Sequence, residues 1–292
     1  MPELPEVETI KNSLKGRILG KKIIKLEIRD VKIACNKASR IKRTLTGDFF
    51  VKIERIGKLL IFFLAQKNNF LLVHLKMTGQ LIYLDKKETI AGGHEATDKE
   101  IGKLPNKHTR AVIYFIDGSK LFFNDLRRFG FLKIVDSEQL EIIKKNYGVE
   151  PLTTDFSVKK LSNIFRKKSA NIKSILLNQK VISGIGNIYA DEILFAAKIN
   201  PTRQGNSLSL KEIKRIEIVA NNVIKKAIKY QGTTFNSYVD SRGKKGNFSQ
   251  FLMVYGRAEK KCLKCRIGIV KKIKLNGRGT HFCPVCQANS PN

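Results

Sequence analysis

Two pairs of cysteines near the end of the chain constrain it most. Cys262 and Cys265, then 17 intervening residues, then Cys283 and Cys286 is the spacing of two chelating knuckles that close a tetrahedron of four thiolates around zinc. Such a site leaves no open position for water, so one structural zinc ion is expected. For a segment this short the metal supplies folding energy that a small core cannot. The opening MPELPEVETI carries three glutamates and no basic cluster, the reverse of a secretory or organellar leader. The longest apolar run, Leu59 to Ala65, is far short of the roughly 20 residues that span a bilayer. A soluble, intracellular protein is therefore expected, in a compartment where thiols hold metal rather than pair as disulfides. The fifth cysteine, Cys35, reads as a buried, inert thiol.

Charge narrows the partner. The 292 residues hold 56 Lys+Arg against 25 Asp+Glu, a net +31, and such a field calls for a polyanion or an acidic surface. The bland alternative is a lysine-rich, solvated exterior. From Arg242 to Arg278 there are 12 Lys/Arg and one acid, Glu259. A zinc hairpin this basic suits phosphate, although by itself it fits a ribosomal, transcription or repair protein equally well.

Along the chain the pattern changes twice. Val7, Ile10, Leu14 and Ile18 recur at helical spacing, with Pro5 tolerated in the first turn, so residues 1–20 read as a helix. Short β-rich runs follow to about residue 135: Phe49–Ile56, Leu59–Leu64, Phe70–Leu75, Gln80–Leu84, Ala111–Ile116, Lys120–Phe123 and Phe131–Val135. Asp117-Gly118 marks a hairpin, and strands without intervening helices imply a sandwich or barrel. Residues 85–107 read as a polar loop. Past Pro151 the pattern turns helical near 157–167, 171–179, 188–198 and 208–230, the last opening on a capping box of Ser209 and Glu212. No internal repeat is evident.

The chain start is chemically unusual. Removal of Met1 before the small Pro2 exposes a secondary amine at a helix start. With an α-amino pKa near 7.8, roughly 15% of such an amine is neutral at pH 7, against about 0.04% of an ordinary lysine. Attack of a secondary amine on a sugar C1′ gives an iminium directly, and Glu3 beside it has two useful states, acid and carboxylate. The same glutamates also suit the first turn of any helix.

Seven ordered segments then make the pattern specific: MPELPEVET, RIGKLL around Lys58, HLKMTG at 74–79, LRRFG at 126–130, SGIGNIYADE at 183–192, VYGR at 254–257 and GRGTHFC at 277–283. With the terminal cysteines, this set resembles the bacterial formamidopyrimidine-DNA glycosylases, from Pro2 to Cys286. The resemblance implies an α+β multidomain chain: an N-terminal β-sandwich with a catalytic N-terminal helix (1–135), a linker (136–150), a helix-two-turns-helix DNA-binding domain (151–240), and the end of a lesion loop with a four-cysteine zinc finger (241–292). It implies a monomeric base-excision repair enzyme that removes 8-oxoguanine and formamidopyrimidines from double-stranded DNA and cleaves abasic sites by β,δ-elimination, without a membrane.

Residue by residue, the resemblance makes Pro2 the Schiff-base nucleophile and Glu3 the proton donor in base release. Lys58 serves β-elimination and a phosphate contact, and Arg278 clamps phosphate and donates a proton in δ-elimination. His74, His108, Lys168 and Asn187 match DNA contacts, with Asn187 at a helix start where amides can face an anion. Met77, Arg127 and Phe129 match residues that enter the duplex as the base leaves the stack. Lys173 matches a basic position near the damaged base, and 232–248, with Thr233, Thr234, Lys244 and Gly246, a lesion-capping segment.

Two other readings stay open: the sister enzyme endonuclease VIII, which prefers oxidised pyrimidines and is disfavoured by Leu4 and Phe129, and a catalytically silent zinc-dependent protein that binds damaged DNA. Departures from the family pattern are Leu126 in place of proline, which predicts a looser loop, Thr109-Arg110 where a second histidine is frequent, and Phe251-Leu252-Met253 for a more polar triplet.

Overall fold

A computed structural model describes residues 1–66, 68–93, 103–233 and 248–288. Chain contacts divide the protein into two units, Met1–Lys145 with Ile228–Ser249, and Asn146–Ala227 with Gln250–Asn292.

In the first unit, helix α1 (Leu4–Ile18) buries the four expected residues Val7, Ile10, Leu14 and Ile18. Glu6 lies in its first turn and Lys15 and Arg17 in its last, the charge order that the helix dipole favours. Two antiparallel sheets follow. One has the order β2 (Phe50–Ile56), β3 (Leu59–Leu64), β4 (Phe70–His74), β9 (Phe131–Val135). The other runs β1 (Ile23–Ile28), β7 (Thr109–Phe115), β8 (Lys120–Asp125), β5 (Gly79–Leu84), β6 (Thr89–Gly93). Their inner faces and α1 share one core, in which Phe50, Phe62, Phe115, Phe123 and Leu132 meet Ile10 and Leu14. This is the expected sandwich.

Four details differ from the sequence reading. The segment read as a polar loop contains β6, whose glycines serve close packing rather than a turn: a Cβ on Gly93 would lie 2.3 Å from the Gly79 carbonyl of the neighbouring strand. Helix α2 (Ala38–Leu45) and β1 escaped notice because each buries only two residues. The stretch read as a linker includes helix α3 (Ser137–Lys144), capped by the Asp136 carboxylate on the Gln139 amide. Cys35 is exposed, not buried; it follows a 3-10 turn whose inward residue is Ile33.

The second unit carries α4 (Val158–Arg166), α5 (Ile172–Leu177), α6 (Asn187–Ala196) and most of α7 (Leu210–Lys229), then the ribbon β10 (Lys271–Leu275) and β11 (Arg278–Phe282). The expected capping box opens α7: the Ser209 amide donates to Glu212 and the Glu212 amide to the Ser209 hydroxyl. Two adjacent acids on α6 organise the rest. Buried Asp191 accepts from the Lys173 ammonium at 2.7 Å and from the His281 amide of β11 at 2.8 Å. Glu192 accepts three amides, from Met253, Val254 and Tyr255. Burial pushes the Glu192 carboxyl up, with those three donors pulling the other way.

Phe195, one turn on, packs with Val254, Val270, Cys262 and Cys283, joining α6 to the cysteine module. No described helix is long and apolar enough to cross a membrane.

Removing one partner of a buried ion pair strands the other charge, a loss of about 3–5 kcal/mol. Asp191→Ala is therefore expected to lower unfolding free energy by about that amount. Chemical denaturation followed by circular dichroism measures it, and a loss of under about 1 kcal/mol would show that Lys173 finds another anion or water.

Candidate active site

Pro2 and Glu3 lie immediately before α1, both buried, while Met1 is exposed. Glu3 is the N-cap residue, and its amide donates to the Glu6 carboxylate at 2.9 Å. The other Glu6 oxygen accepts the Thr233 amide at 2.8 Å and its hydroxyl at 3.2 Å. Gly232, at φ +87°, permits this approach: a Cβ there would stand 2.5 Å from that same oxygen. One carboxylate therefore joins the chain start to the root of the segment expected to cap a lesion. Sequence reasoning gave Glu6 no role beyond the helix dipole. Thr234, Lys244 and Gly246 lie outside the described residues.

Lys58 is buried in the tight turn between β2 and β3. That turn is tied to α1 through Arg55, which donates to Glu8 at 2.9 Å and to the Gly57 carbonyl at 2.8 Å. Burial raises the Glu8 carboxyl, but Lys11 and Arg55 more than offset it and hold it below its usual value. Arg55 thus positions the Lys58 turn, a function invisible in the sequence because the salt bridge spans 47 residues.

His74 ends β4 opposite Leu59, the residue after Lys58. Burial, with Lys76 and Lys58 nearby, depresses its imidazolium to about 3. The ring is neutral at physiological pH. Its Nδ1 accepts the Lys76 amide at 2.9 Å, which leaves the proton on Nε2, a neutral donor suited to a phosphate oxygen.

Met77, Arg127 and Phe129 come together as one group. The Arg127 guanidinium lies 4.6 Å above the Phe129 ring and donates to the Met77 sulfur at 3.3 Å. Met77 and Phe129 are both exposed, and an exposed cation stacked between two apolar groups is what a duplex-entering wedge needs. The loosening predicted for Leu126 is not what the contacts give. The buried Asp125 carboxylate accepts from the Thr78 hydroxyl, the Arg127 amide and the Gly130 amide, so both ends of the loop are stapled without proline. Arg110, part of a second departure, donates to the Asp125 carbonyl at 2.8 Å. The His108 carbonyl takes the Asp125 amide, which puts this expected DNA contact beside the same loop.

In the second unit Asn187 opens α6 behind the turn Gly184-Ile185-Gly186. The Gln179 side chain holds that turn, accepting the Gly184 amide and donating to the Ile185 carbonyl. The Oδ1 of Asn187 has no hydrogen-bond partner among the described residues. Arg278 is exposed at the tip of the β10–β11 ribbon, after an Asn276-Gly277 turn with φ of 45° and 78°, the left-handed pair that a two-residue hairpin requires. Lys168 lines an open basin of about 550 Å³ with Lys167, Lys180 and Tyr147.

Lys173 must be reassigned. It is 1% exposed and its ammonium is engaged by Asp191, the Gly279 carbonyl and the Thr280 hydroxyl. These contacts tie the ammonium to β11, so Lys173 supports the ribbon that carries Arg278.

The Sγ atoms of Cys262, Cys265, Cys283 and Cys286 lie within 4.8 Å of one another. Without a cation they cannot all ionise: the Gly268 and Ile267 amides hold Cys265 down to about 6, while burial and the neighbouring sulfurs push Cys286 up to about 12. Four converging thiols, some with amides directed at sulfur, fit one structural zinc ion.

A folded-state His74 held well below its unfolded value of about 6.5 stabilises the protein above that pH and loses the contribution as pH falls toward 3. His74→Gln is expected to flatten the decline in unfolding free energy between about pH 6.5 and 4. An unchanged pH profile, or a His74 ring signal titrating near pH 6.5 by NMR, would contradict the assignment.

Comparison with known proteins identifies the family. The family model for the formamidopyrimidine-DNA glycosylase N-terminal domain matches residues 1–132, that for the H2TH domain 147–239, and that for the zinc finger found in FPG and IleRS 259–289. The formamidopyrimidine-DNA glycosylase of Listeria monocytogenes serotype 4b is 40% identical over 98% of this chain and all of its own. That of Ureaplasma parvum is 39% identical over the same shares. Lactococcus lactis Fpg in complex with abasic-site DNA superposes with a TM-score of 0.85 at 35% identity, covering 98% of this chain and all of the other. The same Lactococcus lactis protein with Fapy-dG DNA gives 0.84 at 35% identity, again covering 98% and 100%. The chain belongs to the formamidopyrimidine-DNA glycosylase family, with its N-terminal domain, H2TH domain and zinc finger.

Proposed function

We propose that this member excises 8-oxoguanine and formamidopyrimidines from duplex DNA and then cuts the strand through a Schiff base on Pro2. The observation that carries the reading is the chain start: Pro2 directly precedes a buried Glu3 whose amide is pinned by Glu6, so a nucleophile and a proton donor are adjacent and held. Loss of the exposed Met1 converts the Pro2 amide to a secondary amine. That amine attacks C1′ as Glu3 delivers a proton, the damaged purine departs, and the resulting iminium acidifies C2′ for loss of the 3′ phosphate. Lys58 serves this β-elimination and contacts phosphate. Arg278 clamps phosphate and donates the proton for δ-elimination.

His74, His108, Lys168 and Asn187 are assigned to the DNA backbone, and Met77, Arg127 and Phe129 to the space left by the extruded nucleotide. The Lactococcus lactis relatives, solved with Fapy-dG and abasic-site DNA, support the same substrate class here. So does Leu4, which with Phe129 favours the purine enzyme over endonuclease VIII. A monomer in the bacterial cytoplasm, associated with the nucleoid, follows from that substrate.

Borohydride is expected to trap a covalent complex with an 8-oxoguanine duplex through Pro2, and the nicked strand to carry phosphates on both sides of a one-nucleotide gap. Full trapping by N-acetylated protein, or an uncut strand, would overturn the assignment. Affinity is expected to fall steeply as salt rises, with a log–log slope near −0.9 per phosphate contact, and to require the cysteine module. Equal affinity after zinc chelation would remove the module from DNA binding.

A further inference from the structure

The cysteine module exposes an apolar face that its own core does not use. Its interior consists of Cys262, Cys283, Val254 and Val270 against Phe195. Outside lie Ile267 (80% exposed), Val285 (51%), Leu263 (50%) and Ile269 (44%). They sit on the two knuckles and the loop that joins them to the ribbon. Gly268 brings them together: a Cβ there would be 2.9 Å from Val285 Cγ2, and the Gly268 carbonyl accepts the Cys262 amide beside Leu263. Ile269 bridges to Lys261.

Around this face Lys260, Lys261, Lys264 and Arg266 are exposed. Among the described residues none of the four has a carboxylate partner. Glu259 is the one acid in the sequence from 257 to 288.

Duplex DNA does not account for this surface. Phosphate contacts use donors, and four solvent-facing aliphatic side chains contribute none. The face also lies at the cysteine end of the ribbon, where Lys271 pairs with Phe282, while Arg278 pairs with Leu275 at the tip. The extended stretch from Arg278 to Cys283 spans about 17 Å. A second copy is disfavoured because it would bring two cationic rims together. Exposed aliphatics on adjoining backbone, flanked by cations, instead complement a segment that alternates acidic and apolar side chains.

We infer that this face is a docking surface for an acidic protein segment bearing aliphatic or aromatic side chains, engaged while Arg278 remains free for DNA. The aliphatic cluster receives the apolar side chains, and the rim of lysines and Arg266 pairs with the carboxylates. A partner held in this way can be carried to a repair site by the bound enzyme.

The test uses the full zinc-loaded protein and fluorescein-labelled peptides of four Asp-Asp-Leu or four Asp-Asp-Ser repeats, read by anisotropy at physiological salt. The leucine peptide is expected to bind about tenfold more tightly than the serine peptide. The double variant Ile267→Ser/Val285→Ser is expected to abolish that difference while keeping one zinc per chain and nicking activity. Lys264→Glu/Arg266→Glu is expected to weaken both peptides alike, which keeps the test decisive if the first variant fails to fold.

Equal binding of the two peptides, or a preference that survives I267S/V285S, would overturn the proposal. So would displacement of the peptide by a saturating undamaged duplex, which makes the face part of the DNA footprint. Patch-dependent dimers in sedimentation, or patch-dependent binding to phosphatidylglycerol vesicles with no peptide preference, would overturn it in favour of a second copy or a lipid surface.

Discussion

A carboxylate withdrawn from water has to recover its hydration from protein donors, and this requirement organises both units. Among the described residues six acids are buried, Glu3, Glu6, Asp48, Asp125, Asp191 and Glu192. An ionised group in such a place is tolerated only when several N–H or O–H groups converge on it. Glu6 collects donors from the chain start and from Thr233; Asp125 from both ends of the loop at 126–129; Asp191 and Glu192 from α5, β11 and the stretch before the first knuckle. Most of these donors are backbone amides, so each acid fixes the path of a segment rather than the position of one side chain.

The same principle explains how the loop at 126–129 tolerates its unusual sequence. A proline stiffens a loop by restricting φ, whereas Asp125 restrains it by bonding to residues two and five positions further on. Arg110 adds a third restraint from the neighbouring strand, and Arg128, at φ +59°, is steadied by Asp30 at 3.3 Å. Two of the three departures from the family pattern, Leu126 and Thr109-Arg110, therefore converge on one loop. The exposed Met77, Arg127 and Phe129 keep a stacked arrangement because the base of the loop, not its tip, is held.

Legibility in the sequence followed the range of the interactions. The α1 stripe, the Asp117-Gly118 hairpin, the α7 capping box and the cysteine knuckles are local, decided within a few residues, and all were readable. β6 was not, because a glycine chosen for close approach to a neighbouring strand resembles a glycine chosen for a turn until the neighbour is known. Lys173 was misassigned for a related reason. A lysine on a helix face looks solvated unless the acid that receives it, here 18 positions away on another helix, is seen to be buried with it.

Read alone, the amino-acid order determined the residue types available to this protein: a proline and a flanking acid at a helix start, a four-cysteine cluster and a large cationic excess. Those are properties of residue type and near-neighbour spacing, which survive without any knowledge of the fold. Tertiary structure decided which charges remain free to act. Burial and long-range pairing silenced Lys173, kept His74 neutral, and placed Arg55 behind Lys58 and Asp125 beneath Arg127, since the energy of a charge depends on the groups folding brings around it.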